Sequence, residues 1–459
     1  MEEIEVLDLE SDNKVIKQTP KARKSKDKKK KKLRKCEKLF ILINVLIIFS
    51  IIGYYAYRTV HYYKLSHEVV ENITLKEKVA AFDKLTFQND GLYENNGYYY
   101  FKGNDVDNYV YYSGRMFRII DIDKNNIRLI EDDSNTNLVW GVDTNFSDSI
   151  VNNWLKKYVE TLKDYEVYLE ENNWCNEKIK LDNYECKELI NGYVGLLSTK
   201  DYLQAGGKNS YLNNKTYFWT INQDDDGKTF YVNDEGSINN ISSNDNNYYS
   251  YGVRPVITLK SDVMYISGAG TLDEPYIIEE EVGFAILKDN SVGSYVSYNN
   301  QKFRILKIED DGVLLILDGV LDINKGYKDA IKYLNNDYLK TFNKDDLVKI
   351  NYGVKEYNYE NKYNYLVDKK SESNYCVMPQ IGDMFLNDYA NYWLMNISDS
   401  KLGLYYTLDE NKFFFGDLTG NSHPIRPIIK LKGDIVVESG RGSIDEPLLI
   451  GETNEENVE

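Results

Sequence analysis

Histidine, proline and cysteine are scarce in this chain of 459 residues, which holds 3, 7 and 4 of them. The shortage of histidine narrows the chemistry most. His61 and His67 follow closely on the one long apolar run, so a Ser-His-Asp or Cys-His arrangement would have to use His423, beside Pro424 at a strand entrance. Positive charge is also short over most of the chain. Residues 1–38 carry 14 Lys or Arg against 8 Asp or Glu, a net of +6, which leaves −23 for the remainder of the total of −17. That excess would repel phosphates, so nucleic acid is not an expected partner of the larger part. Few prolines with many Asn, Lys, Tyr and Ile also fit a low-GC coding bias, and for that reason the 41 tyrosines carry little weight as a binding signature.

What is present is a repeat. Arg254-Pro255 is followed by Gly268, Gly270, Asp273, Glu274 and Pro275, and Arg426-Pro427 by Gly440, Gly442, Asp445, Glu446 and Pro447, every pair 172 positions apart. One element is used twice, which describes a tandem protein. Hydrophobic content of 42% with 14% aromatics is enough for each copy to bury a core.

The apolar run Leu39–Tyr57 contains no charge and is just long enough to cross a bilayer as a helix. The basic stretch "KARKSKDKKKKKLRK" precedes it, which orients the N-terminus toward the cytosol and attracts anionic lipid. A cleaved signal peptide is the other reading; the length of the run, the lack of a small-x-small site and Tyr54, Tyr55 and Tyr57 at its end favour an uncleaved anchor. Membrane lipid is therefore an expected partner. Residues 58–90, with Leu65, Val69, Ile73 and Val79 at helical spacing, predict a stalk. Cys36 sits at the cytosolic edge, where an acylated or a reduced thiol is open. Cys175 and Cys186 flank a short loop outside the membrane, as a pair or as two free thiols, and a pair would contribute on the order of 3 kcal/mol. Cys376 is left over.

Each copy opens with strands. "YVYYSGRMFRIIDIDKNNIRLIEDD" corresponds to "YVSYNNQKFRILKIEDDGVLLILDG", which sets Phe117-Arg118 on Phe303-Arg304. A helical stretch follows in each, "DSIVNNWLKKYVETLKDYEVYL" and "YKDAIKYLNNDYLKTF", and then strands that align Trp219 with Trp393. Strands, helix, loop region and strands predict an α+β fold with mainly antiparallel sheets.

The ordered series "NYVYYSGRMFRIIDIDKNNIRLIED", "WLKKYV", "WCNEKIKLDNYEC", "GLLSTKDYLQAGG", "YFWTINQ", "YVNDEGSI" and "YGVRPVITL" resembles a family of bacterial surface domains related to the C-type-lectin-like fold of formylglycine-generating enzymes. The resemblance covers residues 91–279 and, more loosely, 283–450. Phe117 and Phe303 stand where that family usually has Trp, Thr220-Ile221 follow Trp219, and His423-Pro424-Ile425 replace the usual residues before Arg426. The implied organisation is a basic cytosolic tail (1–38), a single transmembrane helix (39–57), a helical stalk (58–90), two tandem C-type-lectin-like domains (91–279 and 280–450) and an acidic tail (451–459).

Candidate sites each have a bland explanation. Arg254 and Arg426 could present a guanidinium to a carboxylate or phosphate, but beside the turn containing Asp273-Pro275 and Asp445-Pro447 a structural role in a hydrogen-bond network is expected. "NQDDDG" at 222–227 suggests a calcium loop, yet its twelfth position is Asn233 and strands flank it, so a polar hairpin turn is expected. "WCNE" lacks the carboxylate that coordinates calcium in sugar-binding lectins. The cysteine pair of formylglycine-generating chemistry would lie near the domain end, away from Cys175 and Cys186. No cofactor and no metal are expected. Trp219 and Trp393 read as core residues, and as contact residues second. The expected function is non-catalytic recognition or scaffolding at the bacterial surface, toward an unknown surface ligand or envelope protein. The competing readings are an enzyme acting on envelope glycans or proteins and a structural component of a membrane-spanning assembly.

Overall fold

β-branched and aromatic runs separated by short polar turns give each half of the chain an antiparallel meander. The computed structural model describes residues 73–451 apart from 82–83, 89, 142–144, 179–184, 243–249, 280–285, 358–365, 387–388, 390, 399–401, 408–411 and 419, together with Ser50 and Gly53. In the first copy Tyr109–Tyr112 turns back onto Arg115–Ile122, which pairs with Asn126–Glu131. Tyr295–Tyr298, Gln301–Glu309 and Gly312–Leu317 repeat this in the second copy. The strand after each Arg-Pro, Val256–Lys260 or Ile428–Leu431, lies antiparallel beside the third strand of its meander. The last strand, Tyr276–Ile277 or Leu448–Ile450, returns parallel to the first. Val194–Gly195 and Cys376–Val377 add equivalent short strands on the far side. Register makes the correspondence concrete, because Val110 faces Phe117 just as Val296 faces Phe303.

A second, smaller sheet in each copy carries the tryptophan. Phe218–Gln223 pairs with Thr229–Val232, and Tyr392–Ser398 with Leu402–Thr407, so that Trp219 lies opposite Tyr231 and Trp393 opposite Tyr405. Mainly antiparallel sheets with a few short helices therefore make up both copies. The helix Ile150–Tyr158 starts at Ser149, whose hydroxyl accepts from the Asn152 amide at 3.0 Å. Ile150, Val151, Leu155 and Tyr158 form its buried face. In the second copy Tyr327–Asn336 holds the same place and buries Tyr327, Ala330 and Leu334.

The two copies treat one hairpin differently. In the first, Asn172–Cys175 pairs with Leu189–Gly192, and Lys178 bridges to Gln223 at the edge of the second sheet. The hairpin Ile350–Tyr357 with Leu366–Asn374 occupies the equivalent place in the second copy, bridging from Glu356 to Ile397. Cys175 and Cys186 are joined by a disulfide in the short hairpin, whereas a ladder of eight residue pairs runs along the long one. A cross-link thus stands where the other copy has added backbone hydrogen bonds. Cys376, left over in the sequence, is a fully buried core residue at the position of Val194.

The first copy takes in the end of the segment expected as stalk. Thr74 caps the helix Leu75–Val79 in a capping box with Glu77, and Leu75 and Val79 are fully buried. Leu75 donates its amide to the Val263 carbonyl at 2.8 Å, and Leu287 does the same to Ile435 at the entry of the second copy. Residues 74–79 are thus docked onto the first copy. Residues 58–72, the basic tail, the expected transmembrane segment 39–57 and the acidic tail lie outside the described residues, except for Ser50, Gly53 and Gly451. Among the described residues no helix is long and apolar enough to cross a membrane. Val70–Glu459 is one compact unit, and a single hydrophobic cluster runs from Leu75 to Ile450 through both copies.

Candidate functional site

The repeated Arg-Pro pair clamps one backbone residue from both sides. Arg254 Nε donates to the Glu131 carbonyl at 3.1 Å while the Glu131 amide donates to the Pro255 carbonyl at 2.9 Å. Arg426 Nε and Pro427 do the same to Leu317, at 3.0 and 2.9 Å. The Nη1 atoms reach across to the Leu212 and Phe385 carbonyls, at 2.6 and 2.5 Å. Both guanidinium groups are buried, lying over Phe218 in one copy and over Tyr389 and Tyr392 in the other. Burial pushes the Arg254 guanidinium below its ordinary range, opposed by Asp132 and Asp133. These arginines hold the fold from within, because their donors are aimed at internal carbonyls.

The closing turn is equally internal. The amides of Ala269 and Gly270 both donate to the Glu274 carbonyl at 2.9 Å, as those of Arg441 and Gly442 do to Glu446. Gly270 and Gly442 then accept from the first strand, at Tyr109 and Tyr295, each at 2.8 Å. Gly268 and Gly440 have φ of +98° and +96°, and a Cβ there would sit 1.9 and 2.0 Å from the carbonyl oxygens of Pro275 and Pro447. Glycine is required at both positions by geometry. Asp273 and Asp445 are exposed at the tips of these turns.

The remaining sequence candidates are brought to no common centre. Asp224 accepts from the amides of Asp226 and Lys228 and from Asn240 Nδ2, so the first carboxylate of "NQDDDG" closes its own hairpin turn. Among the described residues no three His, Cys, Asp or Glu are grouped to hold a metal ion. His423 packs edge-on to Trp393 with ring centroids 4.7 Å apart, and burial pulls its imidazole below the ordinary range. Trp219 and Trp393 are fully buried and donate to the carbonyls of Leu138 and Lys325 at 2.8 and 2.7 Å. Cys376 is buried as well, and its thiol is pushed well above the ordinary range by burial.

Two further arrangements are non-local in the sequence. One is the seam between the copies. Trp154 Nε1 donates to the Gly382 carbonyl at 2.8 Å and the Leu386 amide to the Asn135 carbonyl at 3.2 Å. Gly114 and Gly293 meet here so closely that a Cβ on either would lie 2.9 Å from backbone of the opposite copy. Beside this contact Glu131 is buried, accepting from Tyr158 Oη and Asn135 Nδ2, both at 2.7 Å. Burial raises its carboxyl, opposed first by Arg115 and then by Tyr158, Asn135 and Arg304 of the second copy. Arg115 is 1% exposed, lies over the Tyr158 ring and donates to Thr161 Oγ1 at 2.8 Å, while its Nε and Nη1 have no hydrogen-bond partner among the described residues. Arg304 lies over Phe385 at 3.8 Å and donates to the Gly293 carbonyl at 3.2 Å.

The other arrangement is an aromatic wall on one face of the smaller sheet of the first copy. Tyr217, Trp219, Tyr231 and Tyr251 share that face. Ring centroids of Tyr231 and Tyr251 are 4.4 Å apart, those of Tyr217 and Tyr251 5.4 Å, and those of Tyr217 and Tyr231 6.0 Å, at interplanar angles of 32°, 26° and 19°. Tyr251 and Trp219 are buried beneath, while Tyr217 and Tyr231 remain half-buried at the surface.

No protein-family model, curated protein or solved structure matches the chain. Register places Gln301 at the position of Arg115 and Leu317 at that of Glu131. A charge in one copy facing a neutral residue in the other was a usable signal for the seam. The wall had one too: Tyr217 and Tyr251 correspond by offset to Asn391 and His423.

Proposed function

We propose that this is a membrane-anchored bacterial surface protein in which two C-type-lectin-like copies act together as one rigid, non-catalytic recognition or scaffolding unit. The observation that carries the reading is the burial of Arg254 and Arg426 on internal carbonyls. The most strongly repeated residues are spent on the scaffold, so recognition falls to the hairpins and surface faces in which the copies differ. The lectin-like assignment is supported by the antiparallel sheets and by a last strand that returns beside the first in each copy. The charge-free run Leu39–Tyr57 behind a lysine cluster supports the anchor and the outward display of the rest. Because the seam joins the copies, avidity between two freely moving modules is not the expected mode.

The test uses the full chain in maltoside micelles against a glycan array and purified cell-wall fragments. Saturable binding that is lost when the surface hairpins of the first copy are replaced supports recognition. Turnover of a glycan or peptide in the same incubations would replace this reading with an enzyme.

A further inference from the structure

The first copy carries a hairpin that the second lacks. Thirty-four positions separate Leu75 from Tyr109, whereas eight separate Leu287 from Tyr295, the residues that make the equivalent backbone bonds in the second copy. The additional length holds Gly91–Asn95 and Tyr98–Lys102, paired antiparallel. The second of these strands lies beside the end of Arg115–Ile122, with Tyr100 opposite Asp121 and Tyr99 opposite Ile122. One copy closes an edge that the other leaves open.

Register identifies that edge. Asp121 pairs with Arg128 and Ile122 with Ile127, just as Lys307 pairs with Leu314 and Ile308 with Val313, after the same irregularity in each strand. In the second copy Tyr295–Tyr298 covers Gln301–Arg304, and among the described residues no strand continues along Lys307–Glu309 on that side. Ile122 is fully buried, but Ile308 is 36% exposed. An open edge with an exposed apolar side chain is a template for another strand.

Charge selects the strand. Side chains alternate, so Lys307 and Glu309 share one face, where Lys307 Nζ lies 2.6 Å from Glu309 Oε1, and Ile308 takes the other. Lys430 Nζ donates to Glu309 Oε2 at 2.7 Å and to Asp311, which fixes the carboxylate at the edge, and Asp310 is exposed in the turn beyond. An antiparallel twofold through Ile308 sets that residue against its own equivalent and each Lys307 against Glu309 of the other molecule. Two ion pairs form at once. The first copy has Asp121 and Asp123 at these positions, so the same twofold there would oppose carboxylates, and its own hairpin takes the place instead.

We propose that Lys307–Glu309 is a self-association edge, through which two molecules of this chain join their second copies in one continuous antiparallel sheet. Only three residues pair on each side, so the dimer is weak in dilute solution and forms where the chain is concentrated on one surface. The pairing is independent of which ligand the surface recognises.

Ile308→Cys in a Cys36→Ser background reads the pairing with a short bis-maleimide, on the full chain in maltoside micelles at a concentration on the order of 100 µM. Cys175 and Cys186 are joined and Cys376 is buried, which leaves the introduced thiol as the reactive one. A covalent dimer is expected from Ile308→Cys and not from Val436→Cys, a control position that is 62% exposed beside Ile286. Adding Lys307→Glu should lower the crosslinked fraction about tenfold, because it sets carboxylate against carboxylate twice, and adding Glu309→Lys should do the same. Mixing the two charge variants should restore the dimer as a heterodimer, which misfolding of either cannot produce. Equal crosslinking at 308 and 436, no crosslinking at 308 by folded protein, or a fraction unchanged by Lys307→Glu would each overturn the edge. So would charge variants that unfold in urea as the parent does and still fail to associate when mixed; if Glu309→Lys is itself destabilised, Lys307→Glu, on an exposed side chain, decides.

Discussion

Replacing Glu131 by leucine installs the residue that the second copy uses at the same place, Leu317, and is nevertheless expected to be costly. The carboxylate accepts from Tyr158 and Asn135, both at 2.7 Å, and is acted on electrostatically by Arg115 and Arg304. Two buried donors would lose their acceptor, at about 1–3 kcal/mol each, and the buried Arg115 would lose the carboxylate that it opposes. A total of about 3–5 kcal/mol follows for Glu131→Leu. The second copy shows how the loss is avoided. There Gln301 stands in place of Arg115 and accepts from Tyr338 Oη at 2.5 Å. The double variant Arg115→Gln, Glu131→Leu therefore removes both charges and offers Tyr158 a new acceptor. It is expected to cost about 1 kcal/mol, well below the sum of the single changes, with a coupling of at least about 2 kcal/mol. Urea unfolding of the full chain, followed by tryptophan fluorescence, measures all four corners of the cycle. Additive effects, or a Glu131→Leu variant within about 0.5 kcal/mol of the parent, would refute the account of the seam.

Asp383, half-buried and bonded by Tyr352 Oη and the Gln380 amide, is pushed up to about 6, chiefly by burial. A carboxyl raised from an unfolded value of 3.8 adds stability below that value and loses it as pH rises through about 6. Asp383→Asn should thus gain about 1–3 kcal/mol relative to the parent between pH 4.5 and 7.5, read as the pH dependence of the difference in unfolding free energy. Serine at both Cys175 and Cys186 should cost about 3 kcal/mol, and the parent should lose the same on reduction while the variant does not respond. Gly268→Ala places a methyl 1.9 Å from the Pro275 carbonyl at a φ of +98°, and should cost more than about 2 kcal/mol in thermal unfolding, as should Gly440→Ala at the equivalent turn.

The repeat, the strand order of each meander and the alignment of Phe117-Arg118 with Phe303-Arg304 were legible because they depend on local pattern. Period-two alternation and turn residues act over a few positions, and a 172-residue repeat is visible without any fold. The docking of Leu75 and Val79 was not legible, because their spacing suits a free helix as well as a docked one and only the Val263 carbonyl tells them apart. The seam and the tyrosine wall are non-local in the same way. Arg115, Glu131 and Tyr158 come from two strands and a helix, and Arg304 joins them from the other copy. Nothing in the neighbourhood of any one of them announces a buried charge, since the cost of burial and its compensation arise only once packing has removed water from all of them together. The sequence alone determined that one scaffold was built twice; tertiary packing decided that the two are a single body, because burial and long-range hydrogen bonds are properties of the contact and not of either segment.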